Sequence, residues 1–108
     1  MCGIIVAIDK FNKVSKKQLH SMGSRIRHRG PDGSGILNVG ITKMVHLRLA
    51  IIDSDPSANQ PMFSECGNIS IVFNGEIYNH REIRKELEDF GVSFTTNHSD
   101  TEVLLRGY

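Results

Sequence analysis

The residue with the clearest chemical potential is Cys2, which directly follows the initiator methionine. Removal of Met1 would leave a thiol on the first residue, beside a free α-amine with a pKa of about 7.7–8.0. Such an amine can act as the general base for its own thiol, so the nucleophile needs no histidine partner. A cysteine at position 2 can equally be an accident of where translation starts. Taken alone, it is a candidate nucleophile and no more.

Asn74-Gly75 lies directly after an apolar run and before a helical pattern. Acyl transfer needs hydrogen-bond donors aimed at the oxyanion of the tetrahedral intermediate. The side-chain amide of Asn74 and the backbone N–H of Gly75 can supply two such donors from one turn. The same dipeptide is also typical of an ordinary hairpin turn, although the following helix is not a hairpin partner.

Two charged residues occupy positions where a partner is needed. Arg48 interrupts the apolar run 45–53, so its guanidinium requires an anion, either a protein carboxylate or a substrate carboxylate held by two hydrogen bonds. Asp100 stands at the start of the last helical pattern. There it can favour the helix dipole or bind a ligand ammonium group.

Composition excludes several classes of protein. The 13 basic and 12 acidic residues are well mixed and give a net charge of +1, whereas a nucleic-acid-binding protein usually concentrates positive charge in a patch. The apolar stretch 3–8 is short and has no basic residue before it, which argues against a secretory signal. No stretch reaches the length of a membrane span. We therefore expect a single cytoplasmic domain at most.

The two cysteines, Cys2 and Cys66, lack CxxC spacing, and we expect free thiols although one disulfide between them is conceivable. The five histidines show no metal-ligand spacing, so no metal site is expected. The glycine-rich stretch 30–35 follows a helical pattern and lacks the spacing of a phosphate-binding fingerprint. We expect no cofactor in this part of the chain.

Apolar periodicity and turn residues predict short strands and three helices. The strand at 69–73 is expected to be buried on both faces, with a sharp turn at Asn74-Gly75 whose residues tolerate positive φ. Because the chain stops inside its third helix, we expect a truncated domain. The expected strands are 3–8, 36–39, 43–52, 69–73 and 92–95, the loops are 28–35 and 53–62, and the capping boxes are Ser15/Gln18, Asn79/Glu82 and Ser99/Glu102.

Several motifs, in order, resemble the class II glutamine amidotransferases, which use an N-terminal cysteine, and among them the asparagine synthetases. The resemblance covers all 108 residues. The forms Arg-Gly-Pro-Asp and Asn-Gly-Glu-Ile-Tyr-Asn favour the asparagine-synthetase branch over the amino-sugar branch. The motifs are Met1-Cys2-Gly3, His28-Arg29-Gly30-Pro31-Asp32-Gly33, Arg48-Leu49-Ala50-Ile51-Ile52-Asp53, Gln60-Pro61, Asn74-Gly75-Glu76-Ile77-Tyr78-Asn79 and Ser99-Asp100-Thr101-Glu102.

The resemblance implies a catalytic role for three positions. Cys2 would attack the side-chain amide of L-glutamine, with its own α-amine moving the proton. Asn74 and the N–H of Gly75 would form the oxyanion hole. If Met1 is retained, the α-amine is acylated, and we expect that form of the fragment to be inactive.

It also implies the binding roles and the fold. Arg48, helped by the backbone near Ile52, would hold the α-carboxylate, while Asp100 and Glu76 would take the α-ammonium and the amide. The family fold is an α+β N-terminal-nucleophile sandwich, α/β/β/α, of two antiparallel sheets, and this chain would hold its first portion. The open apolar sheet face would favour self-association of the isolated 108 residues.

The same resemblance implies partners that lie outside this chain. The released ammonia would pass to a C-terminal or separate synthetase domain that activates aspartate with ATP and Mg²⁺, and a homodimer is one expected assembly. Two alternatives stay open. One is a glutaminase domain serving a sugar or another acceptor, and the other is a non-catalytic paralogue or fragment that binds a partner or glutamine without turnover.

Overall fold

The computed structural model describes residues 1–51 and 55–108. The elements are two small antiparallel sheets and three helices, which makes the fold α+β. Short 3₁₀ turns occupy Arg27–Arg29 and Pro56–Ala58. The strands are β1 (Gly3–Ile8), β2 (Gly33–Val39), β3 (Thr42–Arg48), β4 (Met62–Phe63) and β5 (Ser70–Ile71), and the helices are α1 (Lys16–Arg25), α2 (His80–Asp89) and α3 (Asp100–Gly107).

The larger sheet has the order β1-β3-β2, with β3 in the centre. Gly3 lies opposite Leu47 in one pairing, and Gly33 lies opposite Arg48 in the other. The prediction of β1 is confirmed. The expected strand 43–52 instead ends at Arg48, while β2 begins at Gly33, inside the expected loop. The backbone N–H of Asp32 donates to the Arg48 carbonyl at 2.9 Å. The pairing of β2 with β3 therefore ends at Arg48.

One face of this sheet packs against α1. Val45 and Leu47 are buried there with Leu19 of the helix, and a Cβ added to Gly23 would lie 3.3 Å from a methyl group of Val45. The helix begins as predicted, because Ser15 and Gln18 form the complete capping box. Burial of this helix face on the sheet orients β3, whose alternate residues must then point to the opposite side.

The opposite face divides into a covered and an uncovered half. His46 and Arg48 are buried at the end of β3, whereas Val6, Ile8 and Val39 are 52%, 59% and 64% exposed at the other end. These three side chains share a face because the register places them opposite alternate residues of β3. The open apolar face expected from the sequence is therefore present. Self-association of the isolated 108 residues stays a prediction.

The second sheet is smaller than the sequence indicated. The expected strand 69–73 is reduced to the two half-buried residues of β5, and 92–95 is not a strand at all. In both places a side chain takes the hydrogen bonds that a neighbouring strand would have taken. The Phe73 N–H donates to Gln60, and the N–H groups of Thr95 and Thr96 donate to the carboxylate of Glu102.

The last two helices also depart from their predicted caps. Asn79 makes no side-chain cap, so the expected Asn79/Glu82 box was wrong. Ser99 accepts the N–H of Glu102, but the Glu102 carboxylate bonds elsewhere and only half of that box forms. Among the described residues, no helix is long and apolar enough to cross a membrane.

Candidate active site

Cys2 lies at the end of the larger sheet, one residue before β1. Continuing the β1–β3 register by one residue places it beside Arg48. Its sulfur accepts the Leu49 N–H at 3.3 Å and approaches the Leu49 carbonyl at 3.7 Å, and it is half-buried. The side chain of Arg29 donates to the Cys2 carbonyl at 3.2 Å. The thiol therefore contacts both the N–H and the carbonyl of Leu49, and part of its surface stays accessible.

Arg48 ends β3 and is buried, with 8% of its surface exposed. Its Nη1 donates to the Asp55 carbonyl and to Oδ1 of Asn59, each at 2.8 Å. These two acceptors hold the guanidinium in one orientation. The cation is thus presented on the same side of the sheet as the Cys2 sulfur.

Asn74 and Gly75 follow β5 as predicted, but their backbone differs from the expected positive-φ turn. The described residues with positive φ are Asn12, Gly40, Gly67 and Gly91. A Cβ at Gly75 would lie 2.7 Å from the ring of Phe73, so any larger residue there would have to displace that ring.

Asp100 is buried at the start of α3, with 6% of its surface exposed. Its Oδ2 accepts the N–H of Ile77 at 3.0 Å, so the carboxylate ties the 74–79 segment to the helix. This contact corresponds to neither reading of Asp100 from the sequence alone. Glu76 is exposed beside it, and the predicted contact near Ile52 lies outside the described residues.

These elements enclose a cavity of about 340 Å³, within the size range of small-molecule sites. Every predicted site residue that the structure describes lines it, together with Gln60, Phe73 and Thr101. The cavity brings a thiol, a cation, a carboxylate and an amide turn together from four separate stretches of the chain. The predicted site residues lining it are Cys2, Arg48, Asn74, Gly75, Glu76 and Asp100.

Sequence reasoning gave no role to two residues that support this cavity. Asp32 accepts the N–H of Ala50 at 2.9 Å and thereby fixes the segment whose Leu49 holds the Cys2 sulfur. Gln60 reaches both Phe73 and Thr101. Both lie inside the quoted motifs, so their place in those motifs was the signal. Cys2 and Cys66 are free thiols, which confirms that expectation.

His46 lies beneath the site, on β3 two residues before Arg48, and none of its surface is exposed. Neither ring nitrogen makes a hydrogen bond of good geometry, although the backbone of Phe73 lies close enough to interact with the ring. Burial lowers the pKa of His46 below its ordinary range, against the opposing effect of the Phe73 carbonyl, and the charge of Arg48 lowers it further. The ring is therefore neutral at pH 7, which spares the site a second buried positive charge.

We expect this histidine to make the folded state less stable as the pH falls below about 6.5, the ordinary value. The folded state resists protonation of His46, so the unfolded state binds more protons below that pH. Each unit of pKa difference is worth about 1.4 kcal/mol of unfolding free energy. Urea unfolding of the complete gene product at pH 7.5 and 5.5, compared with His46→Met, measures it. An equal pH dependence in both proteins would contradict the prediction.

Comparison with known proteins identifies the family of this chain. The family model of the glutamine amidotransferase domain matches residues 1–108. The chain therefore belongs to the glutamine amidotransferase domain family.

Its relatives narrow the class further. It is 40% identical to a probable glutamine-hydrolyzing asparagine synthetase of Dictyostelium discoideum, over 100% of this chain and 20% of that protein. It is 43% and 41% identical to the glutamine-hydrolyzing asparagine synthetases of Brassica oleracea and Arabidopsis thaliana, over 100% of this chain and 18% of each. The chain thus spans about a fifth of the length of these curated relatives.

Proposed function

We propose that this domain hydrolyses L-glutamine with Cys2 as nucleophile and supplies the ammonia to ATP-dependent synthesis of asparagine from aspartate. The observation that carries the proposal is the cavity itself. It presents the Cys2 sulfur to the same space as the Asn74-Gly75 turn, the buried cation of Arg48 and the carboxylate of Asp100. Family membership and the glutamine-hydrolyzing asparagine synthetases among the relatives support the substrate.

The chemistry follows from the order of these groups. After removal of Met1, the α-amine takes the thiol proton, and the Cys2 sulfur attacks the side-chain amide carbon of glutamine. The Asn74 amide and the Gly75 N–H would bind the resulting oxyanion. The intermediate collapses by breaking the C–N bond, and the protonated amine gives its proton to the departing ammonia. Water then hydrolyses the thioester, which releases glutamate and restores the thiol.

The charged residues of the cavity are assigned to the remaining polar groups of the glutamine substrate. Arg48 would hold the α-carboxylate, with the backbone near Ile52, while Asp100 and Glu76 would take the α-ammonium and the amide. Opposite charges at the two sides of one cavity suit the zwitterionic end of an amino acid. The Asp100 carboxylate has one oxygen on the Ile77 N–H, which aims the group without using all its acceptor capacity.

The rest of the proposal concerns the larger protein. These residues would form the first portion of an N-terminal-nucleophile α/β/β/α sandwich, whose further strands would cover the exposed face of Val6, Ile8 and Val39. ATP and Mg²⁺ would bind to a synthetase domain beyond this chain, and the assembly would be cytoplasmic, with a homodimer as one form. The similarity to asparagine synthetases favours aspartate over a sugar as the ammonia acceptor.

Processing of Met1 tests the proposal directly. We expect the complete gene product to release ammonia from glutamine only after Met1 is removed, because an acylated nitrogen cannot act as the base. The comparison uses one preparation with Met1 removed and one that retains it, verified by mass spectrometry. The isolated 108 residues with Met1 attached are likewise expected to be inactive. Equal ammonia release from both preparations would contradict the free-amine mechanism.

Replacement of Arg48 tests the assignment of the carboxylate. We expect Arg48→Ala to raise the KM for glutamine by roughly 30- to 1,000-fold, because losing a charge-assisted paired contact costs about 2–4 kcal/mol. Arg48→Lys is the matched control, since it keeps the charge but not the planar guanidinium. Its KM should lie between those of the wild type and Arg48→Ala. Steady-state kinetics of the complete gene product measures both. An unchanged KM in Arg48→Ala would mean that Arg48 serves only the loop contacts at Asp55 and Asn59.

A further inference from the structure

The side chain of Gln60 joins two parts of the cavity wall that no secondary-structure element connects. It is buried, with 8% of its surface exposed. Its Oε1 accepts the N–H of Phe73 at 2.6 Å, and its Nε2 donates to Oγ1 of Thr101 at 3.0 Å. Phe73 immediately precedes the Asn74-Gly75 turn, and Thr101 immediately follows Asp100. Both bonds therefore end one residue from a proposed functional group.

The position of Gln60 explains why a side chain makes this contact. β4 pairs with β5 so that Met62 lies opposite Ile71. Two residues further along the same antiparallel register, Gln60 lies opposite Phe73. The ladder ends at the pair Met62–Ile71 and does not reach that far. The Gln60 carboxamide oxygen accepts the Phe73 N–H in place of the missing backbone partner.

The orientation of the carboxamide follows from its partners. A backbone N–H can only donate, so the oxygen of Gln60 must face Phe73 and the nitrogen must face Thr101. The Thr101 hydroxyl, accepting from Gln60, is then left to donate toward Oδ1 of Asp100 at 3.5 Å. Asp100 in turn accepts the N–H of Ile77. These contacts form a closed chain from the Asn74-Gly75 turn to α3 and back to the 74–79 segment.

We infer that Gln60 is a positioning residue, which fixes the spacing between the proposed oxyanion donors of Asn74-Gly75 and the proposed ammonium-binding carboxylate of Asp100. This inference rests on the proposed function. A glutamine substrate spans both groups at once, because its amide is at one end and its α-ammonium at the other. Loosening the link should therefore disturb turnover and binding together, in contrast to the effect of losing either group alone.

The test uses the complete gene product with Met1 removed, and activity is expressed per active site by titrating the thiol that bound glutamine protects from alkylation. Gln60→Met keeps the length and apolar bulk but makes neither bond. We expect it to lower kcat about tenfold and raise the KM for glutamine several-fold, consistent with misplacement of reacting groups. Thr101→Val removes the bond to Gln60 and the contact with Asp100 but leaves the bond between Gln60 and Phe73. It should show a smaller change of the same kind, which Thr101→Ser should reverse.

A pH profile separates positioning from a general loss of folded protein. In Gln60→Glu, the carboxylate can still accept from Phe73 but cannot donate to Thr101, whereas its protonated form can do both. We expect kcat/KM of this variant, divided by that of the wild type, to rise as the pH falls. Partial unfolding would instead lower kcat per milligram and leave KM and the titrated rate unchanged.

The outcomes are distinct. Wild-type kcat and KM in Gln60→Met, with a flat ratio in Gln60→Glu, would overturn this inference and leave the proposed function standing. A decrease per titrated site in Gln60→Met, with a pH-dependent ratio in Gln60→Glu, supports it. If the wild type releases no ammonia from glutamine, the proposed function fails and the inference fails with it.

Discussion

Replacing Cys2 with alanine should abolish the release of ammonia from glutamine. The sulfur is the nucleophile in the proposed mechanism, and none of the other residues that line the described cavity is a cysteine that could replace it. Synthesis of asparagine from free ammonia should be unchanged, because that step does not use the thiol. Both rates can be measured on one preparation of the complete gene product with Met1 removed.

Cys66→Ala is the matched control for this prediction. Cys66 is an exposed free thiol in the loop between β4 and β5, where Ser64 lies 3.3 Å from its sulfur, and it does not line the described cavity. The hydrogen bond from Ser64 is the main cause that lowers its pKa, so reactivity alone does not separate the two cysteines. We expect this variant to keep wild-type activity. Undiminished glutaminase activity in Cys2→Ala would falsify the assignment of the nucleophile.

Asn74→Ala should lower kcat for glutamine hydrolysis by about 10²- to 10³-fold and leave KM little changed. The oxyanion exists only along the reaction path, so the loss of one donor weakens binding of the transition state and not of the substrate. The measurement is steady-state ammonia release by the complete gene product. The expected pattern is the reverse of that for Arg48→Ala, where KM changes most.

Asn74→Asp provides the isosteric comparison. It preserves the shape of the turn but replaces the amide donor with an acceptor, which should oppose a developing negative charge at least as strongly as the loss of the donor does. If Asn74→Ala instead raises KM and leaves kcat alone, the residue contributes to substrate binding or to the turn and not to the oxyanion.

Local features were predictable from the sequence because their causes are local. The first strand and the complete Ser15/Gln18 capping box depend on residues a few positions apart, and both are present. The candidate site residues came from motifs rather than from any calculation of distance. In the folded structure, all of the candidate site residues that the structure describes line one cavity.

The strand predictions at 69–73 and 92–95 failed because of side-chain hydrogen bonds that only the folded structure shows. Gln60 takes the N–H of Phe73 across 13 positions, and Glu102 takes those of Thr95 and Thr96 from the far side of the turn, so neither stretch needs a strand partner. The charge state of the buried Glu102 likewise depends on contacts made in the folded structure. Hydrogen bonds from Thr96, Thr95 and Arg106 outweigh the effect of burial and lower the pKa of Glu102, which keeps it charged in the core.

The sequence by itself therefore determined which residues could do chemistry and in what order they occur along the chain. Only the tertiary structure decided how they are held. Asp32 fixes the segment beside Cys2, and Gln60 joins the Asn74-Gly75 turn to α3. A buried polar group must find a partner wherever the fold brings one within about 3 Å, and that partner is set by packing, not by distance along the chain.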